Sequence, residues 1–404
     1  MGKTIGFLIG AFLLLALPAS AQNLFPLQPH PVDTAWPTEN WEVGTLDRET
    51  EEVVGNLIVQ AMLGQRGDVM GQTRAVVVIH KGKLVAEAYK DDFSEDTKQV
   101  SWSMAKSITQ ALVGRAVHLG LIEDIDAPMP TPFPEGDPRN AITWRQWLNM
   151  TDGLDYKEIN ATSLADNDVV NMMYGRGKYD VLAYARDELP LVHEPGEVWN
   201  YSSSSYHLIA AALQKLVHAP QISAGLVEEG TIEPNEEIQM LMRLSNIHFG
   251  ALLFTPLGMD FRIEGDSVGT FLGGSLVWAS ARDFAKFGYL YLRDGVWEDE
   301  RLLPEGWIDF ARTETPADNA NIYGAGWWIT AYGEERTHAQ TAKTPPWDAF
   351  HAGGHEGQTI WVVPSRDLVI VRLGLMTNAG ENWEALYEWN QEIARAFPEV
   401  SLGD

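Results

Sequence analysis

Two β-rich segments at opposite ends of the chain constrain the fold most. The first, Arg74-Ala75-Val76-Val77-Val78-Ile79-His80, turns at Lys81-Gly82 into Lys83-Leu84-Val85-Ala86-Glu87-Ala88-Tyr89. The second runs from Gln358 to Val363, turns through Pro364-Ser365-Arg366-Asp367 and returns from Leu368 to Leu373. Strand-forming runs joined by short Gly- or Pro-bearing turns read as hairpins. Each is followed by a helical pattern. After the first hairpin, Ile108, Leu112 and Ala116 recur at helical spacing and Gly120 closes the run. After the second, Trp383, Leu386, Trp389 and Ile393 form one apolar face of a helix from Asn382 to Phe397. Between them the chain is helix-rich with long loops. Its helices include Thr143 to Met150, ended by Gly153, then Tyr206 to Val217 after the Pro195-Gly196 turn, and Ala281 to Leu292. No internal repeat interrupts this order.

The expected fold is therefore α/β of the α+β kind: an antiparallel sheet built from both chain ends, flanked by helices, with an all-helical insertion. The corresponding division is residues 73–120 with 267–404 for the sheet-bearing lobe and 121–266 for the helical lobe. Residues 22–72 form an N-terminal arm and first helix; the Pro- and Asn-rich stretch Gln22 to Trp41 reads as extended chain across the surface. Residues 1–21 read as a signal peptide. Lys3 supplies the positive end, Ile5 to Leu17 the apolar core, and Ala19-Ser20-Ala21 a small-x-small cleavage site with Gln22 next. That apolar run is too short to span a membrane stably. The expectation is a periplasmic or secreted protein without stable membrane association once the leader is cut.

Charge and cysteine content narrow the chemistry. With 29 basic against 56 acidic residues the formal net charge is −27, which repels phosphate backbones and anionic lipid and argues against nucleic-acid binding. The acidic run from Val227 to Glu237 reads as a solvated loop. There are no cysteines, so disulfides, thiolate catalysis and thiolate metal sites are excluded. The chain also lacks a Gly-x-Ser-x-Gly elbow, a His-Glu-x-x-His helix and a phosphate-cradling glycine loop. His351 and His355 are separated by Gly353-Gly354, which does not suit a helical metal pair. No metal and no cofactor is implied.

What remains is Ser103-Met104-Ala105-Lys106, at the start of the helix that follows the first hairpin. Residues three apart on a helix share a face. The helix N-terminus brings free N–H groups and positive potential to Ser103, which favour a developing oxyanion and disfavour a lysine cation. A neutral Lys106 can remove the serine proton; a charged one can lower the pKa of a second base. Ser-x-x-Lys alone arises by chance about once in a chain of this length, and its bland reading is a capping serine beside an exposed lysine. Two later segments give it context: His193-Glu194-Pro195-Gly196-Glu197-Val198-Trp199-Asn200-Tyr201-Ser202-Ser203-Ser204, and Phe350-His351-Ala352-Gly353-Gly354-His355-Glu356-Gly357-Gln358 directly before a strand.

These three segments, in this order, resemble the serine β-lactamase and penicillin-binding-protein superfamily, nearest its class C-like branch of esterases, D-amino-acid peptidases and 6-aminohexanoate-dimer hydrolase-like enzymes. Further matching segments are Trp147 to Leu154, Pro256-Leu257-Gly258-Met259, Ala279 to Gly288 and Val363 to Val369, so the resemblance runs from about Ala75 to Leu373. It implies Ser103 as the acylated nucleophile, Lys106 as its activator and Tyr201 as the relay that acts as base and then acid. The implied oxyanion hole is the backbone N–H of Ser103 and of Gln358. His355-Glu356-Gly357 stands where the family has Lys-Thr-Gly or His-x-Gly, with His351-Ala352-Gly353 as the alternative register. Trp102, Ser203, His355, Glu356 and Gly357 are the expected substrate contacts.

Two departures bear on the substrate. Ser203 replaces the asparagine that holds an acylamino side chain in β-lactam-processing members, and Glu356 replaces groups that grip the carboxylate beside the scissile ring. Glu356 should repel that carboxylate, so the expected substrates are small esters or amides lacking it, with an amine nearby as one option. A β-lactamase or D,D-peptidase, and a catalytically silent binding module, remain the alternatives. Among 15 tryptophans, Trp102, Trp199, Trp327 and Trp328 are open to two readings, lining an acyl pocket or packing a core. The oligomeric state is not readable.

Overall fold

The computed structural model describes residues 24–64, 67–223, 234–318, 322–329, 346–377 and 380–401. The leader lies outside them, as does most of the acidic run; its last residues, from Pro234, open a helix, Pro234–Phe249, rather than continuing a loop. No described helix is long and apolar enough to cross a membrane.

Both hairpins form and share one sheet. Strands β1 (Gln72–His80) and β2 (Lys83–Tyr89) come from the N-terminal part. The others are β3 (Trp328–Ile329), β4 (Phe350–Gly354), β5 (Gln358–Val363) and β6 (Leu368–Leu375). Their order is β2-β1-β6-β5-β4-β3. The two chain ends meet where β1 pairs antiparallel with β6, Val77 opposite Val371. Strands β3 and β4 were not foreseen. The Gly-rich run of β4 hides its strand character, because its apolar contacts come from neighbours rather than from its own side chains.

Alternation sends β1 side chains to two buried layers. Val76 and Val78 join Trp361, Ile370 and the helices α1 (Arg48–Met62) and α5 (Gly380–Arg395) through Val54, Ile58, Leu386, Trp389 and Ile393. Ala75, Val77 and Ile79 face the other way, toward α2 (Met104–His118) and α4 (Ala281–Leu292). Close approach of α4 to the sheet requires Gly288, whose added Cβ would stand 2.6 Å from Ile360.

Helix α2 is buried on more than the face of Ile108, Leu112 and Ala116: every residue from Met104 to Ala116 is buried. It lies between the sheet and α3 (Ser203–Ser223). Two of its hydroxyls are satisfied by loop carbonyls, Ser107 Oγ donating to Gly326 O at 2.6 Å and Thr109 Oγ1 to Gly273 O at 2.7 Å. Helix α3 starts three residues before the expected Tyr206, because capping groups satisfy its first turn. Ser202 Oγ accepts from the Ser205 N–H at 3.2 Å and a Glu158 carboxylate oxygen from the Ser203 N–H at 3.0 Å. Thr143 and Gln146 form a reciprocal capping box on the short helix Trp144–Leu148.

Candidate active site

Ser103 stands at the N-terminus of α2, half-buried, one residue after a strained position. Trp102 has φ of 45°, a left-handed conformation that is costly for a large side chain. The strain is held from both sides. Upstream, Gln99 and Val100 pair with Ala279 and Trp278 in a small sheet. At the turn itself, Ser101 Oγ accepts from the Val277 N–H at 3.0 Å.

Lys106, one turn later, is buried and points its Nζ into a ring of oxygens: Ser103 Oγ at 2.9 Å, Ser203 Oγ at 2.8 Å and Gly274 O at 2.8 Å. Burial pulls its pKa down to about 8, against a partial upward pull from the Glu158 charge. Gly274 is fixed by His207, whose Nδ1 accepts from its N–H at 3.2 Å. A Cβ on Gly274 would stand 2.7 Å from Ser203 O, so only glycine lets this carbonyl reach the lysine.

Tyr201 lies in the segment just before α3. Asn200 ties that segment down, its N–H to Met150 O at 3.0 Å and its Nδ2 to Tyr156 O at 2.7 Å. The Tyr201 ring stacks on Trp328 with centroids 5.2 Å apart, and Lys106 Nζ sits 4.8 Å from its centre. Burial first, then the Glu158 charge, push its phenol well above the usual range, opposed by its hydrogen-bonding contact with Ser103. The phenol is therefore protonated at neutral pH and acts as a donor. The three residues singled out from sequence thus converge.

The rest of the expected site is rearranged. Ser203 Oγ, expected to contact substrate, is fully buried and engaged on two sides, accepting from Lys106 and donating to Glu158 Oε1 at 3.1 Å. Gln358 begins β5, the strand next to β4, and its side-chain amide exchanges two bonds with Gly374; its Cβ lies 3.2 Å from where an added Cβ on Gly354 would stand. The main chain that runs beside Ser103 is that of Gly354, where an added Cβ would stand 3.3 Å from Ser103 N and 2.3 Å from Ser101 O. Strand β4, between β5 and β3, brings this main chain to the helix N-terminus.

The two His-x-Gly registers separate cleanly. His351 is buried in β4 on the face that carries α5, stacked on Trp361 and 2.9 Å from the Tyr387 hydroxyl, with burial pulling its pKa down to about 3. His355 is exposed and meets the edge of Trp102, the neighbour of Ser103, at 5.3 Å. Glu356 follows in a left-handed conformation, φ 62°. The turn Glu356-Gly357 is clamped by Arg372, whose Nη1 donates to both carbonyls at 3.1 and 2.9 Å while Nη2 donates to Met70 O at 2.7 Å. Trp327 is wholly buried against Tyr291 and Phe287 and is core, whereas Trp328 and Trp199 gather around Tyr201.

Glu158, Gly274, Gly354 and Arg372 were not singled out from sequence. Glu158 lies in an irregular loop with no periodicity or motif to mark it. Gly354 could have been found by asking which residue of the glycine-rich segment can approach a helix N-terminus without a side chain.

The chain is similar to known proteins along most of its length. The sequence model of the β-lactamase family matches residues 67–395. A 6-aminohexanoate-dimer hydrolase of Paenarthrobacter ureafaciens is 23% identical over 323 residues, covering 74% of this chain and 72% of the relative. Among solved structures, a candidate 6-aminohexanoate-dimer hydrolase from Bacillus anthracis superposes with a TM-score of 0.60 at 18% identity, covering 92% of this chain and 90% of that one. EstCE1, a hydrolase with promiscuous acyltransferase activity, superposes with a TM-score of 0.55 at 16% identity, covering 86% and 98%. The chain belongs to the β-lactamase family and is a serine hydrolase of the β-lactamase and penicillin-binding-protein superfamily.

Proposed function

We propose that this hydrolase cleaves small esters or amides through an acyl-enzyme on Ser103. The observation that carries the reading is a buried Lys106 amine 2.9 Å from the hydroxyl of half-buried Ser103 at a helix N-terminus. Lys106 Nζ takes the Ser103 proton as Oγ bonds to the substrate carbonyl carbon. The oxyanion is received by the N–H groups of Ser103 and Gly354. Tyr201, protonated, delivers its proton to the departing alcohol or amine and is reprotonated from Lys106. Water then attacks the acyl carbon by the same path in reverse, releasing the acid and restoring Ser103.

The relatives named as 6-aminohexanoate-dimer hydrolases support amide cleavage, and the hydrolase with acyltransferase activity supports an acyl-enzyme. Glu356, on the turn beside Trp102 and His355, favours substrates without a carboxylate next to the scissile bond, and hence esters and amides over β-lactams or cell-wall peptides. The leader-like residues 1–21 support action outside the cytoplasm. The test is intact-protein mass spectrometry with an alkyl fluorophosphonate, alongside turnover of short-chain nitrophenyl esters, nitroanilides and a chromogenic cephalosporin. Adduct on Ser103 and ester or amide turnover lost in Ser103→Ala are expected. Cephalosporin turnover matching the best ester would overturn the substrate assignment, and absence of any adduct or turnover would overturn the nucleophile.

A further inference from the structure

The lysine's three oxygen neighbours are not equivalent, and what distinguishes them traces to Glu158. As an ammonium, Lys106 has three N–H donors for three acceptors: Ser103 Oγ, Ser203 Oγ and Gly274 O. As a neutral amine it has two N–H donors and one lone pair, and one of the three neighbours must now donate to it. Gly274 O cannot. Ser203 and Ser103 both carry a hydroxyl hydrogen, so either could. If Ser203 donated, the lone pair would be engaged by a bystander and the base would be blocked.

Glu158 removes that option. Its Oε2 accepts the Ser203 backbone N–H at 3.0 Å, and its Oε1 accepts the Ser203 hydroxyl at 3.1 Å. An ionised carboxylate accepts only. Tyr156, buried beside the pair, has its phenol pushed up by burial and the Glu158 charge against a downward pull from its contact with Ser203, and stays protonated. With its hydrogen committed to Glu158, Ser203 Oγ faces Lys106 with lone pairs alone. We propose that Glu158 is a positioning residue: by fixing the direction of the Ser203 hydroxyl it leaves Ser103 as the one partner able to donate to the neutral Lys106 amine. The inference rests on the nucleophile assignment made above and adds to it a residue that never touches substrate.

The Glu158→Gln variant inverts the arrangement. The fixed Ser203 N–H needs an acceptor, so it takes the amide oxygen, and the amide NH2 then donates to Ser203 Oγ. The serine hydrogen is turned toward Lys106, where it engages the lone pair. Removing that hydrogen as well, in Glu158→Gln with Ser203→Ala, frees the lone pair again. A carboxylate that only capped α3 would show no such recovery, because the second substitution would merely add damage.

The assay is the second-order rate of Ser103 labelling by the alkyl fluorophosphonate: the Oγ–P bond forms, fluoride leaves, and the serine proton passes to Lys106. It is followed by mass spectrometry on the full chain at fixed pH, with thermal melting to compare folding. Expected is a loss on the order of 10²-fold in Glu158→Gln, the scale of a misdirected general base, a smaller loss in Ser203→Ala, and recovery of about tenfold or more in the double variant relative to Glu158→Gln. A double variant no faster than Glu158→Gln, or a Glu158→Gln variant labelled at the wild-type rate, overturns the proposal while leaving the nucleophile in place. A wild-type protein unlabelled at Ser103 overturns the nucleophile assignment, and this inference with it.

Discussion

Replacing Lys106 by methionine, similar in length and unable to ionise, should remove a specific piece of the pH dependence of stability. The ammonium of a free lysine titrates near 10.5, and burial in the ring of Ser103, Ser203 and Gly274 oxygens lowers this to about 8. Between those values the unfolded chain still binds the proton that the native chain has released. Stability therefore rises with pH across the window, and the contribution is constant below about pH 8 and above about 10.5. A window about 2.5 units wide, at about 1.4 kcal/mol per unit, corresponds to about 3 kcal/mol. Tyrosines and other lysines titrate in the same range but are common to both proteins. The informative quantity is thus the wild-type minus Lys106→Met difference in unfolding free energy from urea melts between pH 7 and 10.5. It should grow by about 3 kcal/mol in favour of the wild type as pH rises. A flat difference would mean that the amine is not desolvated in the native state, and the argument that burial makes Lys106 an easier base would fail with it.

Three other substitutions probe the site. Tyr201→Phe keeps the ring stacked on Trp328 but removes the proton donor, so turnover should fall by about 10²- to 10⁴-fold with melting temperature nearly unchanged; unchanged turnover would exclude Tyr201 from proton transfer. Gly354→Val would press a side chain against Ser101 O, 2.3 Å from the added Cβ, and displace the strand from Ser103; steady-state turnover should collapse with the circular dichroism spectrum preserved, and wild-type turnover would argue that the oxyanion hole lies elsewhere. Arg372→Met leaves the carbonyls of Met70, Glu356 and Gly357 without their buried donor, so urea melts should show a loss of roughly 3 kcal/mol or more. A loss below about 0.5 kcal/mol would show that those carbonyls find other donors.

The sheet, its two hairpins and the helix after each were legible because their signals are local: β-branched runs, a Gly or Pro turn, an apolar stripe at helical period. Ser103, Lys106 and Tyr201 were legible because a short pattern stood at a strand-to-helix junction and two companion segments followed in order. What escaped notice depends on contacts distant in sequence. Helix α2 carries Ser107 and Thr109 among its apolar positions, and carbonyls of residues 326 and 273, far off in sequence, accept from them and let both be buried. Strand β4 consists of Phe350-His351-Ala352-Gly353-Gly354, and two glycines conceal it because pairing with β5 and β3, not propensity, makes it a strand. Glu158 acts on Ser203 across 45 positions from a loop without regular structure, and no spacing rule reaches that far.

The junction of β1 with β6 has a consequence for how such a chain comes to life. Ser103, Lys106 and the first hairpin are synthesised early, yet β1 obtains its second neighbour only when Leu368–Leu375 arrives, and Ser103 obtains its facing main chain only with Phe350–Gly354. A nascent or incompletely threaded chain holds the reactive serine without the strand that completes its surroundings. Hydrolytic competence should therefore appear abruptly and late, as a property of ring closure between the two ends, and the long wait favours slow, non-local folding with an unpaired β1 edge exposed meanwhile.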